Sequence, residues 1–395
     1  MTSADPSSRL HRRLGLRGAL IVGLSAMLGT GLFAVWSPAW EWSGSLLLVA
    51  VLIAAVVAGL NATSTARLAR VHPESGGAYA YGRIRINRLA GVTAGVVFLV
   101  GKSASAAAAA LTIGVYVWPG QERLVAVVAI LIALLIDLRG IVRSTAVNAV
   151  LVAVLVAMVL GLVIVGGTHL PIVEPIPVAP QGALAVIASA GIVFVAFAGY
   201  ARITVLGEEV RSPARTIPLA MLVSFSIVLV IYLAVGAVVV AAGERGVAIG
   251  PAALLSIAEA AHMEIGAPLM PVAAVIGAGS VLINLIAGMG RTLFAMAHRG
   301  DAPAALSAVS VRRVPHRAAI AAALLAGLLV LPGRLSWALA LSGACILTYY
   351  AVAHAASFTL PGRWLLQRLV PVAGLVLCAA VIGSLIVVVL TGQPG

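Results

Sequence analysis

Three places in this 395-residue chain put polar chemistry where the surroundings are otherwise apolar. The first is Gly29-Thr30-Gly31, inside GLSAMLGTGLF from Gly23 to Phe33; the second is FVAFAGYARI, with Gly199 at its centre; the third is Lys102, the only lysine. Glycine in mid-helix weakens the helix, and threonine brings a hydroxyl into oil. Unwinding a helix there frees N–H and C=O groups that cost several kcal/mol each if left unpaired, roughly, so a break persists only where it faces a ligand, water or protein. A ligand carrying both a carboxylate and an ammonium fits such a break. The carboxylate accepts from N–H groups at a half-helix N-terminus, and the ammonium donates to the freed carbonyls. Gly-Thr-Gly supplies close backbone approach and one hydroxyl. The competing reading is packing: Ser25 and Gly29 form a small-xxx-small pair of the kind that lets two membrane helices approach.

The elements that must hold these groups are membrane spans. With 62% hydrophobic and 9% charged residues, the chain has more apolar material than a soluble core buries. A net charge of +13 could suggest nucleic acid, but no soluble face exists to concentrate it. Apolar runs long enough to cross the hydrocarbon lie near 18–40, 44–66, 89–118, 122–138 and 145–167, and after the Pro-rich THLPIVEPIPVAPQG near 183–207, 217–242, 268–297, 317–333, 335–360 and 369–391. Eleven spans are expected, in an all-α membrane protein. With the N-terminus in the cytoplasm, nineteen basic residues fall on inner segments and three, Arg123, Arg245 and Arg334, on outer ones; Lys102, Arg202 and Arg291 lie in spans. This bias puts the N-terminus and the 67–88 loop inside and, the count being odd, the C-terminus outside. The first span, preceded by HRRLGLR, is longer than a signal sequence and is expected to be retained.

The division is a tail at 1–17, five spans over 18–167, an outer connection at 168–182, five spans over 183–360 and an extra helix at 361–395. Each half opens with a glycine-interrupted helix. An odd number of spans per half runs those two helices in opposite directions, as an inverted-topology repeat requires, and such a pair points to a binding site at the midplane.

Lys102 lies about 20 Å along its helix from Leu89 and about 25 Å from Pro119, too far to reach either interface easily. It is a candidate for substrate contact or proton coupling, with a structural hydrogen bond as the alternative. Arg202 is expected to pair with Glu208 or Glu209. His354 reads as a satisfied packing histidine, with proton work a weaker alternative. Cys345 and Cys378 read as apolar packing residues, with neither disulfide nor metal spacing.

Taken together, GLSAMLGTGLF, HPESGGAYAYGR, FVAFAGYARITVLGEEVRSPARTIP and GRTLFAMAHRGDAP resemble the amino acid-polyamine-organocation superfamily of secondary transporters, in particular amino acid permeases of bacterial type. The resemblance covers nearly the whole chain. It implies the five-plus-five inverted-repeat fold of the leucine-transporter type, with helices 1 and 6 discontinuous and the substrate between helices 1, 3, 6 and 8. It places the substrate on Ala26, Met27, Gly29, Thr30 and Gly31 and on Val195, Ala198, Gly199 and Ala201. Where many relatives carry an aromatic gate the chain has Val195, leaving Phe194 or Tyr200 as gate. A carboxylate common in relatives for cationic substrates is missing near Ala201. The family's twelfth span is also missing.

The expected activity is amino acid transport across the plasma membrane by alternating access, as proton-coupled symport of a neutral amino acid. The alternatives are an exchanger, a cationic amino acid or polyamine permease and, more remotely, a transporter-like sensor or a channel. The expected partners are an amino acid, the bilayer and a proton, with no cofactor, metal or nucleic acid. An enzyme is disfavoured: the chain holds no HExxH, no GxSxG and no zinc-like Cys/His spacing.

Overall fold

In a medium without water every backbone group needs an internal partner, and a chain of long aliphatic runs answers by forming helices. A computed structural model describes residues 15–72, 77–140, 145–172, 182–204, 210, 212–310, 314–361 and 365–392. Among them the helices are α1 (Leu16–Met27), α2 (Thr30–Ala34), α3 (Trp36–Ser43), α4 (Leu47–Val71), α5 (Gly77–Arg85), α6 (Arg88–Val117), α7 (Glu122–Leu138), α8 (Thr145–His169), α9 (Ala183–Phe197), α10 (Ala201–Thr204), α11 (Pro213–Glu244), α12 (Ala253–Ala260), α13 (Gly266–His298), α14 (His316–Val330), α15 (Leu335–Phe358) and α16 (Leu365–Thr391). Leucine, isoleucine and valine on many of them face outward, for example Leu52, Val56, Leu131, Ile164, Val230, Leu324 and Leu390, as a surface surrounded by lipid requires.

Nine of the expected eleven spans are long and apolar enough to cross a membrane among the described residues. The other two positions hold shorter helices: α7 has 17 residues and α14 has 15. The first span stops at Met27 and resumes at Thr30, at the expected Gly-Thr-Gly break, whereas the 67–88 loop, read as a connection, contains a helix, α5. Residues 1–14 of the N-terminal tail, most of the 168–182 connection and Glu208 and Glu209 lie outside the described residues.

The centre of the molecule is α6, which packs against α5, α7, α13, α14 and α15. Asn87 starts it, its side chain accepting from the Ala90 N–H at 2.8 Å. From Ala106 to Ala110 five consecutive alanines have 0% exposure, so neighbours press on this helix from all sides. Only small side chains permit that approach.

Side-chain ties divide the loops between two faces. On one face Arg85 Nη2 donates to the Thr359 carbonyl at 2.6 Å, and Arg67 Nη1 to the Gln367 carbonyl at 2.5 Å. On the other, Arg123 Nη2 donates to the Pro332 carbonyl at 3.1 Å and Arg245 Nη1 to the Leu170 carbonyl at 3.0 Å.

Candidate functional site at two facing helix breaks

Glycine decides where the first span breaks. α1 ends at Met27, the Leu28 N–H closes its last turn on Leu24, and α2 restarts at Thr30 with Gly29 as its N-cap. In the second half α9 ends at Phe197, Ala198–Tyr200 form a 3₁₀ turn, and α10 follows at Ala201. Both interruptions therefore fall where the sequence places them.

The breaks face one another, and the helices cross antiparallel. A Cβ on Gly23 would meet Ile203, one on Gly199 would meet the backbone of Ala26 and Met27, and one on Gly31 would meet Ala196, each closer than 3.0 Å. A Cβ on Gly29 would likewise strike Val281 of α13 and lie 3.0 Å from the Gly277 carbonyl. The packing reading of Gly29 thus holds together with the break: glycine is needed for helix approach at both.

The freed backbone is partly claimed by protein. Tyr232 of α11 donates its hydroxyl to the Met27 carbonyl at 2.6 Å and lies 3.5 Å from the Ala196 carbonyl. Tyr116 of α6 reaches the Phe33 carbonyl at 3.4 Å. Sequence reading missed both, although Tyr232 is the lone polar aromatic in the aliphatic run SIVLVIYLAVGAVVVA. The Thr30 hydroxyl is buried and has no hydrogen-bond partner among the described residues. An orphaned donor and acceptor at the mouth of a helix break is where a carboxylate would sit.

The other expected residues gather around this point. Met27 and Ala198 are buried, and Ala26 and Val195 are half-buried. Phe194 and Tyr200 both pack on Tyr350 of α15, with centroids 6.1 and 6.0 Å away; Phe194 meets it edge-on. Lys102, at the middle of α6, lies with its Nζ 5.7 Å from the centroid of the Phe98 ring. Among the described residues the ion pairs are those of Asp301, so no described carboxylate lies within 4.0 Å of Lys102. The expected pairing of Arg202 with Glu208 or Glu209 falls on undescribed residues; Arg202 Nη2 donates to Asn284 Oδ1 of α13 at 3.2 Å.

Two motifs quoted above without a role meet at the face that carries the Arg67 and Arg85 ties. HRGDAP ends α13: the Gly300 N–H donates to Ala297 at 3.1 Å and the Asp301 N–H to Met296 at 2.9 Å, with Gly300 at φ +72°. This glycine cap turns Asp301 back toward α5. There Tyr79 donates its hydroxyl to Asp301 Oδ2 at 2.5 Å, Arg83 donates to the same oxygen, and Arg88 donates to Oδ1 at 3.1 Å. The Tyr79 bond, with Arg83 and Arg88, holds the Asp301 carboxyl below its ordinary range against the opposing effect of burial. The contribution of Asp301 to stability is therefore present above the usual carboxylate pKa and lost as pH falls through the depressed value. Asp301→Asn is expected to loosen α5 by about 2 kcal/mol, the worth of a charge-assisted bond. Hydrogen exchange at Tyr79–Arg83 at neutral pH checks this; protection equal to the parent's would mean the carboxylate adds nothing.

The comparisons with known proteins agree with this architecture. The family described as amino acid permease matches residues 18–392. A protein described as an uncharacterized transporter from Mycobacterium tuberculosis is 39% identical over 382 residues, covering 95% of this chain and 86% of its own length. A branched-chain amino acid permease of Bacillus subtilis is 24% identical over 335 residues, 78% of this chain and 71% of the relative. A chloroplastic cationic amino acid transporter of Arabidopsis thaliana is 28% identical over 264 residues, 59% of this chain and 45% of the relative. On this evidence the chain is a multi-pass membrane protein and belongs to the amino acid permease family, within the amino acid-polyamine-organocation superfamily.

Proposed function

We propose that the protein is a secondary active transporter that carries an amino acid across the cell membrane by alternating access, with the substrate held between the two helix breaks. The orphaned Thr30 hydroxyl carries this reading, since nothing described in the protein satisfies it. The α-carboxylate accepts from Thr30 and the N–H groups that open α2, and carbonyls of the second break accept from the ammonium. Ala26, Met27, Gly29, Gly31, Val195, Ala198, Gly199 and Ala201 form the walls, and Phe194 and Tyr200 close them. The antiparallel crossing of the broken helices supports a five-plus-five inverted repeat over 18–167 and 183–360, with 361–395 as an added helix.

The substrate is a neutral amino acid. Lys102 is a half-buried cation with no carboxylate within 4.0 Å among the described residues. A cationic side chain would be repelled there. Lys102 is the charge that meets the substrate's carboxylate, and a proton is the coupled ion. A proteoliposome uptake screen over neutral, acidic and cationic amino acids and polyamines, with and without a pH gradient, tests the reading. Uptake of a neutral amino acid is expected; uptake limited to arginine or polyamines would overturn the substrate class, and ion conductance without stoichiometric uptake would indicate a channel.

The inner-loop face carries the basic excess and is assigned to the cytoplasm. Cysteines placed at Gly120 and Thr359 should then label from outside and inside respectively. Labelling of both from the same side would refute this topology.

A further inference from the structure

Away from the helix breaks, α4, α15 and α16 enclose a polar cluster inside an apolar interface. His354 is 1% exposed. Its Nε2 is 2.7 Å from Asn61 Oδ1 and its Nδ1 is 2.9 Å from Ser64 Oγ, both on α4. The Cys378 thiol of α16 points at the same Asn61 oxygen from 3.6 Å. Gly374 makes room for the imidazole, because a Cβ there would come closer than 3.0 Å to the ring. Three polar atoms on this set or beside it have no hydrogen-bond partner among the described residues: Asn61 Nδ2, Thr65 Oγ1 and Ser357 Oγ. Ser357 follows His354 by three residues, on the same face of α15 and toward its inner-loop end. Orphaned buried groups at such a spot are the usual sign of bound water.

From this geometry, and resting on the transporter reading above, we infer that His354 is the group that takes up the coupled proton, reached from the inner-loop face past Ser357 and Thr65. The proton balance is simple. Asn61 Oδ1 only accepts, so Nε2 carries the hydrogen and Nδ1 accepts from the Ser64 hydroxyl. A proton arriving from water binds Nδ1, and Ser64 turns its hydroxyl from donor to acceptor; no heavy atom needs to move. On release the steps reverse.

The groups facing His354 are few. α16 offers the Cys378 thiol, α4 offers Asn61, Ser64 and, three residues beyond Ser64, Arg67, whose guanidinium is held by the carbonyls of Gln367 and Pro361. On α15, one turn away, stands Tyr350, the ring against which Phe194 and Tyr200 of the second break pack. No described carboxylate pairs with the imidazole. A charge gained at His354 is therefore felt at the α4–α15 contact and, one turn along, at the aromatic side of the break. Coupling needs this link between proton binding and conformation.

The test uses His354→Gln, which keeps a hydrogen-bonding side chain and cannot be protonated. Parent protein in liposomes is expected to accumulate substrate about tenfold per unit of pH gradient, for one proton per substrate. His354→Gln is expected to keep measurable counterflow, to lose gradient-driven accumulation and to show a flat uptake profile between about pH 5 and 8. Accumulation by the variant equal to the parent's, or a parent that exchanges substrate but ignores the gradient, would overturn the inference. Absence of counterflow in the parent for every amino acid would instead overturn the transporter reading. Should His354→Gln fail to insert, Ser64→Ala decides: deleting the Nδ1 partner is expected to move the midpoint of the pH profile by about one unit, and an unmoved midpoint counts against His354.

Discussion

Uptake by Gly199→Ala and Gly31→Ala is expected to fall about 10- to 100-fold, and by the corresponding leucine variants to background, in protein that still inserts into the membrane. An added methyl at Gly199 would lie closer than 3.0 Å to the carbonyl of Ala26, and at Gly31 closer than 3.0 Å to the backbone of Ala196. These neighbours are main-chain atoms, which cannot swing aside, so the two breaks would have to separate. Overpacking of this kind costs about 1–3 kcal/mol. The loss falls on the contact that aligns Thr30 with the second break, so transport suffers before the fold does. Gly59→Ala in α4 is the control, because nothing stands within 4 Å of its added Cβ. The measurement is initial uptake per inserted protein. Normal uptake by both alanine variants would place the substrate elsewhere and leave the breaks as packing features.

The second large effect is expected at Lys102. If its charge meets the substrate carboxylate, Lys102→Met raises the KM for counterflow about tenfold or more, about 1.4 kcal/mol or above, while Lys102→Arg keeps much of the affinity because guanidinium is also cationic. A proton-carrying lysine would give the opposite pattern: Lys102→Met would exchange with ordinary affinity and lose gradient-driven accumulation, and Lys102→Arg would not restore it, since arginine does not deprotonate. Counterflow KM and pH-driven accumulation, measured for both variants, separate the two roles. They also separate Lys102 from His354, which should affect the drive and leave the affinity.

Both breaks were legible because Gly-Thr-Gly and Gly199 stand at matching places in the two halves, where an inverted repeat carries its interrupted helices. What completes the breaks was not legible. Tyr232 caps the Met27 carbonyl across 205 positions of sequence, and no local pattern announces a hydroxyl that finds its partner only after packing. The same holds for Asp301. Its motif was recognisable, but its role depends on a glycine turn that aims it at Tyr79 and Arg83, more than 200 residues away. A lone histidine in a span carries little signal, so at His354 the sequence favours packing over proton work; its partners Asn61 and Ser64 lie on a distant helix and become a cluster only in three dimensions. The span count departs from the sequence expectation at α7 and α14, whose helices of 17 and 15 residues fall short of the roughly 20 that a crossing takes.

The alanine run of α6 has a mechanical side. Helices usually hold register by seating the ridges of one in the grooves of the next, and sliding means lifting each ridge over its neighbour. From Ala106 to Ala110 α6 has almost no relief, while α13 and α15 rest on it. A smooth rod of this kind supplies contact without notches: its neighbours can shift by small amounts with little side-chain rearrangement. Under the alternating access proposed above, which needs repeated passage between two shapes, α6 would serve as the bearing, with the five alanine methyl groups as its sliding surface.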